Sequence, residues 1–72
     1  MEYEVMEHKD WVESEGCYPT RVVLLKLNDN PSKYSTHLQI DPRPEMPNLY
    51  LAHGHYFVDL EDAVKDFKGR EV

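Results

Sequence analysis

Seventy-two residues carry eight Lys and Arg against fourteen Asp and Glu, a formal charge of -6 and a pI near 5.0. That is one small domain, residues 1–72, and it argues against nucleic-acid binding through a basic surface, because phosphate neutralisation needs clustered Lys and Arg. The single Cys17 excludes an internal disulfide, and no apolar run approaches the ~18 residues of a membrane span or forms a leader, so a soluble, intracellular chain is expected.

Glu2–His8 alternates weakly, with Tyr3 and Val5 on one face and Met6 on the other, which predicts a strand that Trp11 and Val12 extend. Residues 14–17 read as a turn, and Pro19 suits the edge or start of the next strand. Residues 21–27 are continuously apolar and β-branched, with Val23, Leu25 and Leu27 on one side and Val22 and Leu24 on the other. This pattern fits a central strand covered on both faces. A turn at 27–32 leads to 33–40, where Tyr34, Thr36, Leu38 and Ile40 alternate with Lys33, Ser35, His37 and Gln39. That predicts a half-buried strand, antiparallel to its predecessor.

Three prolines within 41–47 predict a loop of extended character. A short strand follows at 48–52, with Leu49 and Leu51 inward; Gly54 breaks or bends it, and 55–58 lead into a helix. Leu60, Ala63, Val64 and Phe67 fall on one helical face, with Asp59 as N-cap, Glu61 and Asp62 on the first turn, Lys65 and Lys68 later and Gly69 as the stop. The helix is expected at 60–68. The sum is an α+β fold: an antiparallel meander of three or four strands with one C-terminal helix packed on one face. So small a domain buries only about 60% of its unfolded surface. A homodimer is the simplest way to add to that burial.

The charge is uneven. Residues 1–20 hold six acids and one base, for -5; residues 21–56 net +1 and residues 57–72 net -2. Glu2, Glu4 and His8 are expected on one strand face with Glu7 opposite, and Asp10, Glu13 and Glu15 continue the charge. Such a row can mimic a phosphate backbone and occupy a basic groove. More simply, a charged edge strand discourages aggregation. Arg21, Lys26, Lys33 and Arg43 interrupt a wholly negative surface.

Histidines are the first candidates for chemistry. His53 and His55 are one residue apart, so an extended strand aims both to one face, as two metal-bound imidazoles require. His37 adds a third ligand if its strand lies alongside. No Cys-x-x-Cys or His-Glu-x-x-His pattern supports a metal, and polar strand residues around a bend at Gly54 account for the same spacing. Cys17 with His8 or His37 as base would form a nucleophile, but Glu13 and Glu15 disfavour the thiolate. Paired carboxylates need a cleft to act on a sugar, and one sheet with one short helix leaves little material for it. No enzyme and no cofactor are expected. Among the aromatics, Tyr34, Phe57 and Phe67 are expected inside, with Tyr56 joining them. Trp11 and Tyr18 flank the turn around Cys17 and are candidates for a contact surface.

The stretch from His55-Tyr-Phe-Val-Asp-Leu-Glu-Asp to Phe67, ending in Lys-Gly-Arg70, resembles the C-terminus of small uncharacterised proteins of bacterial phages and prophages. In those, an aromatic strand runs into a short helix with an acidic start. The resemblance implies an accessory protein of mobile-element origin in a bacterial cytoplasm, many of which bind and inhibit a host protein. The expectation is a non-enzymatic protein-binding protein that meets a host protein or itself through Trp11, Tyr18, Glu2, Glu4, Glu7 and Asp10. An acidic mimic of nucleic acid and a His-based metal site at His37, His53 and His55 are the alternatives.

Overall fold

A computed structural model of the chain describes residues 2–41 and 50–72. In chain order the elements are β1 (Glu2–His8), β2 (Val12–Ser14), β3 (Cys17–Asn28), β4 (Tyr34–Ile40), β5 (Tyr50–Phe57) and α1 (Leu60–Gly69). The strands form one antiparallel sheet in the order β1-β3-β4-β5, with β2 also paired to β3. The helix packs on one face. This is the α+β meander the sequence predicts, with β2 as a short additional strand. The prolines of 42–47, Arg43 and Leu49 lie outside the described residues.

β3 is central because its apolar run serves two faces at once. Val22, Val23, Leu24 and Leu25 are all at most 2% exposed. Each such side chain contributes roughly 1.5–3 kcal/mol relative to exposure. Val22 and Leu24 pack with Tyr34, Leu38 and Phe57 beneath Ala63, Val64 and Phe67 of α1. Val23, Leu25 and Leu27 pack with Tyr3 and Leu51 on the opposite face. Of the expected inner aromatics, Tyr34, Phe57 and Phe67 join the helix-side core. Tyr56 does not: it pairs with Ser35 in the sheet, lies on the other face and is 52% exposed.

β4 differs from expectation. Ser35, His37 and Gln39 were expected on a solvated side, yet they are 0%, 4% and 0% exposed. The reason is cover from side chains of the neighbouring strands: Arg21 of β3 reaches Gln39, and Tyr56 and Gly54 of β5 lie against His37. Local hydrogen bonds make this tolerable. The Ser35 hydroxyl meets His37 Nδ1 at 3.1 Å, and Gln39 Oε1 accepts from Arg21 Nε at 2.6 Å.

Three irregularities bend the sheet. Met6 is an extra residue between the pairs Val5↔Leu25 and Glu7↔Leu24. Tyr18 and Pro19 oppose Glu13 alone, which gives Pro19 a place in β3 where its missing N–H does no harm. In β5, His53 and Gly54 oppose His37 alone, with His53 at a φ of 52°. A Cβ on Gly54 would overlap the His37 ring at Nε2. Gly54 thus bends β5 without ending it.

The helix runs one residue beyond the expected end. Asp59 has the extended backbone of an N-cap, but its side chain makes no capping hydrogen bond. Gly69 is the last helical residue, and the cap falls on Arg70, whose N–H donates to the Phe67 carbonyl. Leu60 stays 39% exposed, so the inner stripe is Ala63, Val64 and Phe67. One cation closes the C-terminal end. Lys9 Nζ donates to the carbonyls of Lys68 (3.2 Å) and Arg70, and lies 5.5 Å from the Phe67 ring centroid. The Lys68 carbonyl lies at the negative end of the helix dipole.

Candidate interaction surface

Trp11 follows β1 and precedes β2 on the face away from the helix side. Its ring is 38% exposed and is covered on one side by the Arg21 guanidinium, 4.4 Å from the ring centroid. Arg21 is held in turn. It sits directly across from Gln39 in the β3–β4 ladder and donates from Nε to Gln39 Oε1. A buried amide therefore positions a guanidinium, which positions an exposed indole. Among the described residues Gln39 Nε2 is buried without a hydrogen-bond partner. Tyr18 emerges at the start of β3, 40% exposed, and its carbonyl accepts from the Thr20 hydroxyl at 3.0 Å. Sequence reasoning singles out Trp11 and Tyr18, both partly exposed, but not Arg21, which stacks on Trp11, or Gln39, which holds Arg21. Only the hairpin register reveals that pair.

The acidic strand is arranged otherwise than expected. The extra Met6 moves Glu7 onto the same face as Glu2 and Glu4, since their partners Leu24, Asn28 and Lys26 alternate on one side of β3. His8, paired with Val23, goes to the opposite face. The three carboxylates thus share the face that α1 occupies further across the sheet. They are exposed, as are Asp10, Glu13 and Glu15. Among the described residues no Lys, Arg or His forms an ion pair with any of them; the one ion pair there is His55–Asp66.

The histidines separate. His55 pairs with Thr36 on the helix side, whereas His37 pairs with Val23 on the other. His37 Nε2 lies 3.5 Å from the Tyr56 hydroxyl, and the two rings meet edge to face at 5.6 Å. Burial lowers the His37 pKa most, and the positive charges of Arg70 and His55 lower it further. The regular strand assumed for His53 and His55 is interrupted by the bulge at His53. Among the described residues no group of three or more His, Cys, Asp or Glu side chains is placed to hold a metal ion. The side chain of Cys17 lies outside the described residues.

On the helix side the polar groups form a joint between sheet and helix. Asp66 Oδ2 accepts from the Thr36 hydroxyl at 2.5 Å and meets His55 Nδ1 at 3.0 Å. Arg70 Nη1 donates to the Thr36 carbonyl and hydroxyl at 3.0 Å each, and Nη2 donates to the His53 carbonyl. Burial raises the Asp66 pKa, but the hydrogen bonds from Thr36 and His55 and the charges of His55 and Arg70 outweigh it, so the net shift is downward. The sequence signal for this joint is weak, because Thr36 and Asp66 are thirty residues apart.

Among the described residues a groove of about 400 Å³ lies between the β1–β2 connection and the chain beyond α1, lined by Lys9, Asp10, Val12, Val22, Glu71 and Val72. No helix among the described residues is long and apolar enough to cross a membrane. Comparison with family models, with curated proteins and with solved structures finds no match.

Proposed function

We propose that this is a non-enzymatic protein-interaction domain that engages a protein partner around Trp11, with Tyr18 beside the same hairpin end. The observation that supports the reading is the fixed indole: an exposed Trp backed by Arg21, which is itself tied to buried Gln39. A rigid aromatic anchor loses little freedom on binding, and Trp and Arg are enriched at the residues that dominate interface energies. The resemblance of the C-terminal stretch to phage and prophage proteins suggests a bacterial cytoplasmic host protein as the partner, with a homodimer as the self-associating form. The test is affinity capture from bacterial host lysate with the wild type and with Trp11→Ala, alongside sedimentation of each. The expected result is a specific partner, or a dimer, present for the wild type and lost with Trp11→Ala at unchanged circular dichroism. Equal capture by both chains overturns the reading.

A second reading has its own support. The Met6 bulge gathers Glu2, Glu4 and Glu7 on one face with no cation paired to them among the described residues. Such a row suits occupation of a basic groove in a nucleic-acid-binding protein, with Asp10 extending it. This reading requires that binding weaken steeply with salt and with joint replacement of Glu2, Glu4 and Glu7 by Gln. Binding indifferent to both removes it.

A further inference from the structure

We infer that the groove between the β1–β2 connection and the chain beyond α1 seats one basic side chain, lysine or arginine, of a partner protein whose other basic residues lie along Glu7, Glu4 and Glu2. The basic character of the partner rests on the second reading above; the seat for a single side chain stands on the groove itself.

The groove combines an apolar base with free acidic groups. Val22, 1% exposed, is buried at its base, and Val12 and Val72, each about half exposed, line it nearer solvent. Asp10 and Glu71 bring two exposed carboxylates from opposite sides, and neither has an ion-pair partner among the described residues. Lys9 also lines the groove, but its ammonium donates to the carbonyls of Lys68 and Arg70. The lining thus carries one base against two acids, for -1, with the base already engaged.

These surroundings select the occupant. A purely apolar side chain would cover the valines but strip water from two unpaired carboxylates, which is costly. An anion meets repulsion there. Lysine and arginine match both parts, because the stem lies on apolar surface while the charged head stays near water. The volume of about 400 Å³ falls at the lower end of the roughly 300–1,000 Å³ usual for ligand sites, in keeping with one side chain.

The place of the groove in the sheet supplies the rest of the partner. Val12 pairs with Thr20, and Thr20, Val22 and Leu24 alternate on the helix side of β3. Glu7, Glu4 and Glu2 lie across from Leu24, Lys26 and Asn28 on that same side, and Lys26 forms no ion pair with Glu4. Groove and carboxylates therefore share one face along one margin of the sheet. At about 3.3 Å per residue β1 extends over roughly 20 Å, so a free amine fills the groove alone whereas an extended basic segment reaches the whole row.

The test uses the whole chain, titrated with a capped Lys-Ser-Lys-Ser-Lys-Ser-Lys peptide, with the same peptide carrying norleucine for lysine, and with putrescine. Nuclear magnetic resonance of the Val12, Val22 and Val72 methyl groups reports on the groove, and the backbone amides of Glu2, Glu4 and Glu7 report on the row. The expected result is saturable change at both places with the lysine peptide, and binding weaker by about tenfold or more for the norleucine peptide and for putrescine. Joint Asp10→Asn and Glu71→Gln replacement, at exposed positions, is expected to weaken the lysine peptide about tenfold at unchanged circular dichroism. No saturation, equal binding of the norleucine peptide or indifference to that replacement overturns the seat. Equal binding of putrescine overturns a protein as the source of the cation. Change along the row with silent methyl groups overturns the groove and leaves the second reading standing. Methyl changes that persist after joint replacement of Glu2, Glu4 and Glu7 by Gln, with the affinity unaltered, keep the seat and remove the second reading.

Discussion

Burial decides the charge state of His37. Its ring is sealed between Gly54 and the Ser35 hydroxyl, and the cost of removing a cation from water lowers its pKa, with the Arg70 and His55 charges adding to the effect. The unfolded chain, with an ordinary His near pH 6.5, therefore binds the proton more readily than the folded one. Stability from the neutral ring is fully present above that ordinary pKa and is lost as pH falls through the lowered folded value. The expected outcome is a Tm that falls as pH drops below about 6.5, with a shallower slope in His37→Asn. Parallel slopes for the two chains would assign the loss to other groups. Asp66 acts with the same sign in a lower window, since its depressed pKa adds stability that disappears only as carboxylates protonate. None of this was legible in residues 33–40 alone. Alternation there is real, but alternation separates two faces without saying whether the second one is wet. Gln39 and His37 look like solvent-facing residues until β5 is placed alongside.

The elements themselves were far more legible. β1, β3, β4 and α1 fall where periodicity puts them, because an apolar run, a turn or a helical stripe is encoded within a few residues. The bulges were not, because they are properties of pairs of strands. Met6 in β1 reverses the sides of Glu7 and His8, and that reversal assembles the carboxylate face. At the β5 bulge the sequence did mark the place, since Gly54 signals close approach of another group, here the His37 ring. A methyl group at Gly54 has to displace a buried ring that is held by neighbours on both sides. Gly54→Ala is therefore expected to destabilise by about 1–3 kcal/mol, the usual cost of overpacking a filled core. Urea denaturation followed by circular dichroism measures it, and a loss below about 0.5 kcal/mol, the range of an ordinary surface change, would mean that the ring yields freely. The candidate surface divides the same way. Trp11 and Tyr18 were legible from their place around a turn, whereas Arg21 and Gln39 needed the β3–β4 register.

At the scale of the whole molecule the negative segment is tied to the far end of the chain by its single base. Lys9 is the one cation among the first twenty residues, and its ammonium is spent on the carbonyls of Lys68 and Arg70. The carboxylates around it are left without an ion-pair partner among the described residues, and the segment presents its net charge of -5. The Lys9–Arg70 contact also spans 61 positions of sequence, whereas the β3–β4 hairpin closes across a few. Closing a long loop costs more chain entropy than closing a short one, so the hairpin can form first and the clasp only after α1 has docked. A contact absent from the folding transition state leaves the forward rate alone and slows the reverse one. Lys9→Ala is expected to steepen the loss of the native state by raising the unfolding rate about two- to fivefold, with folding unchanged, in stopped-flow chevrons. A slowed folding arm instead would place the clasp in the nucleus. One lysine side chain thus governs how long the native state lasts once formed, while the central hairpin governs how quickly it is reached.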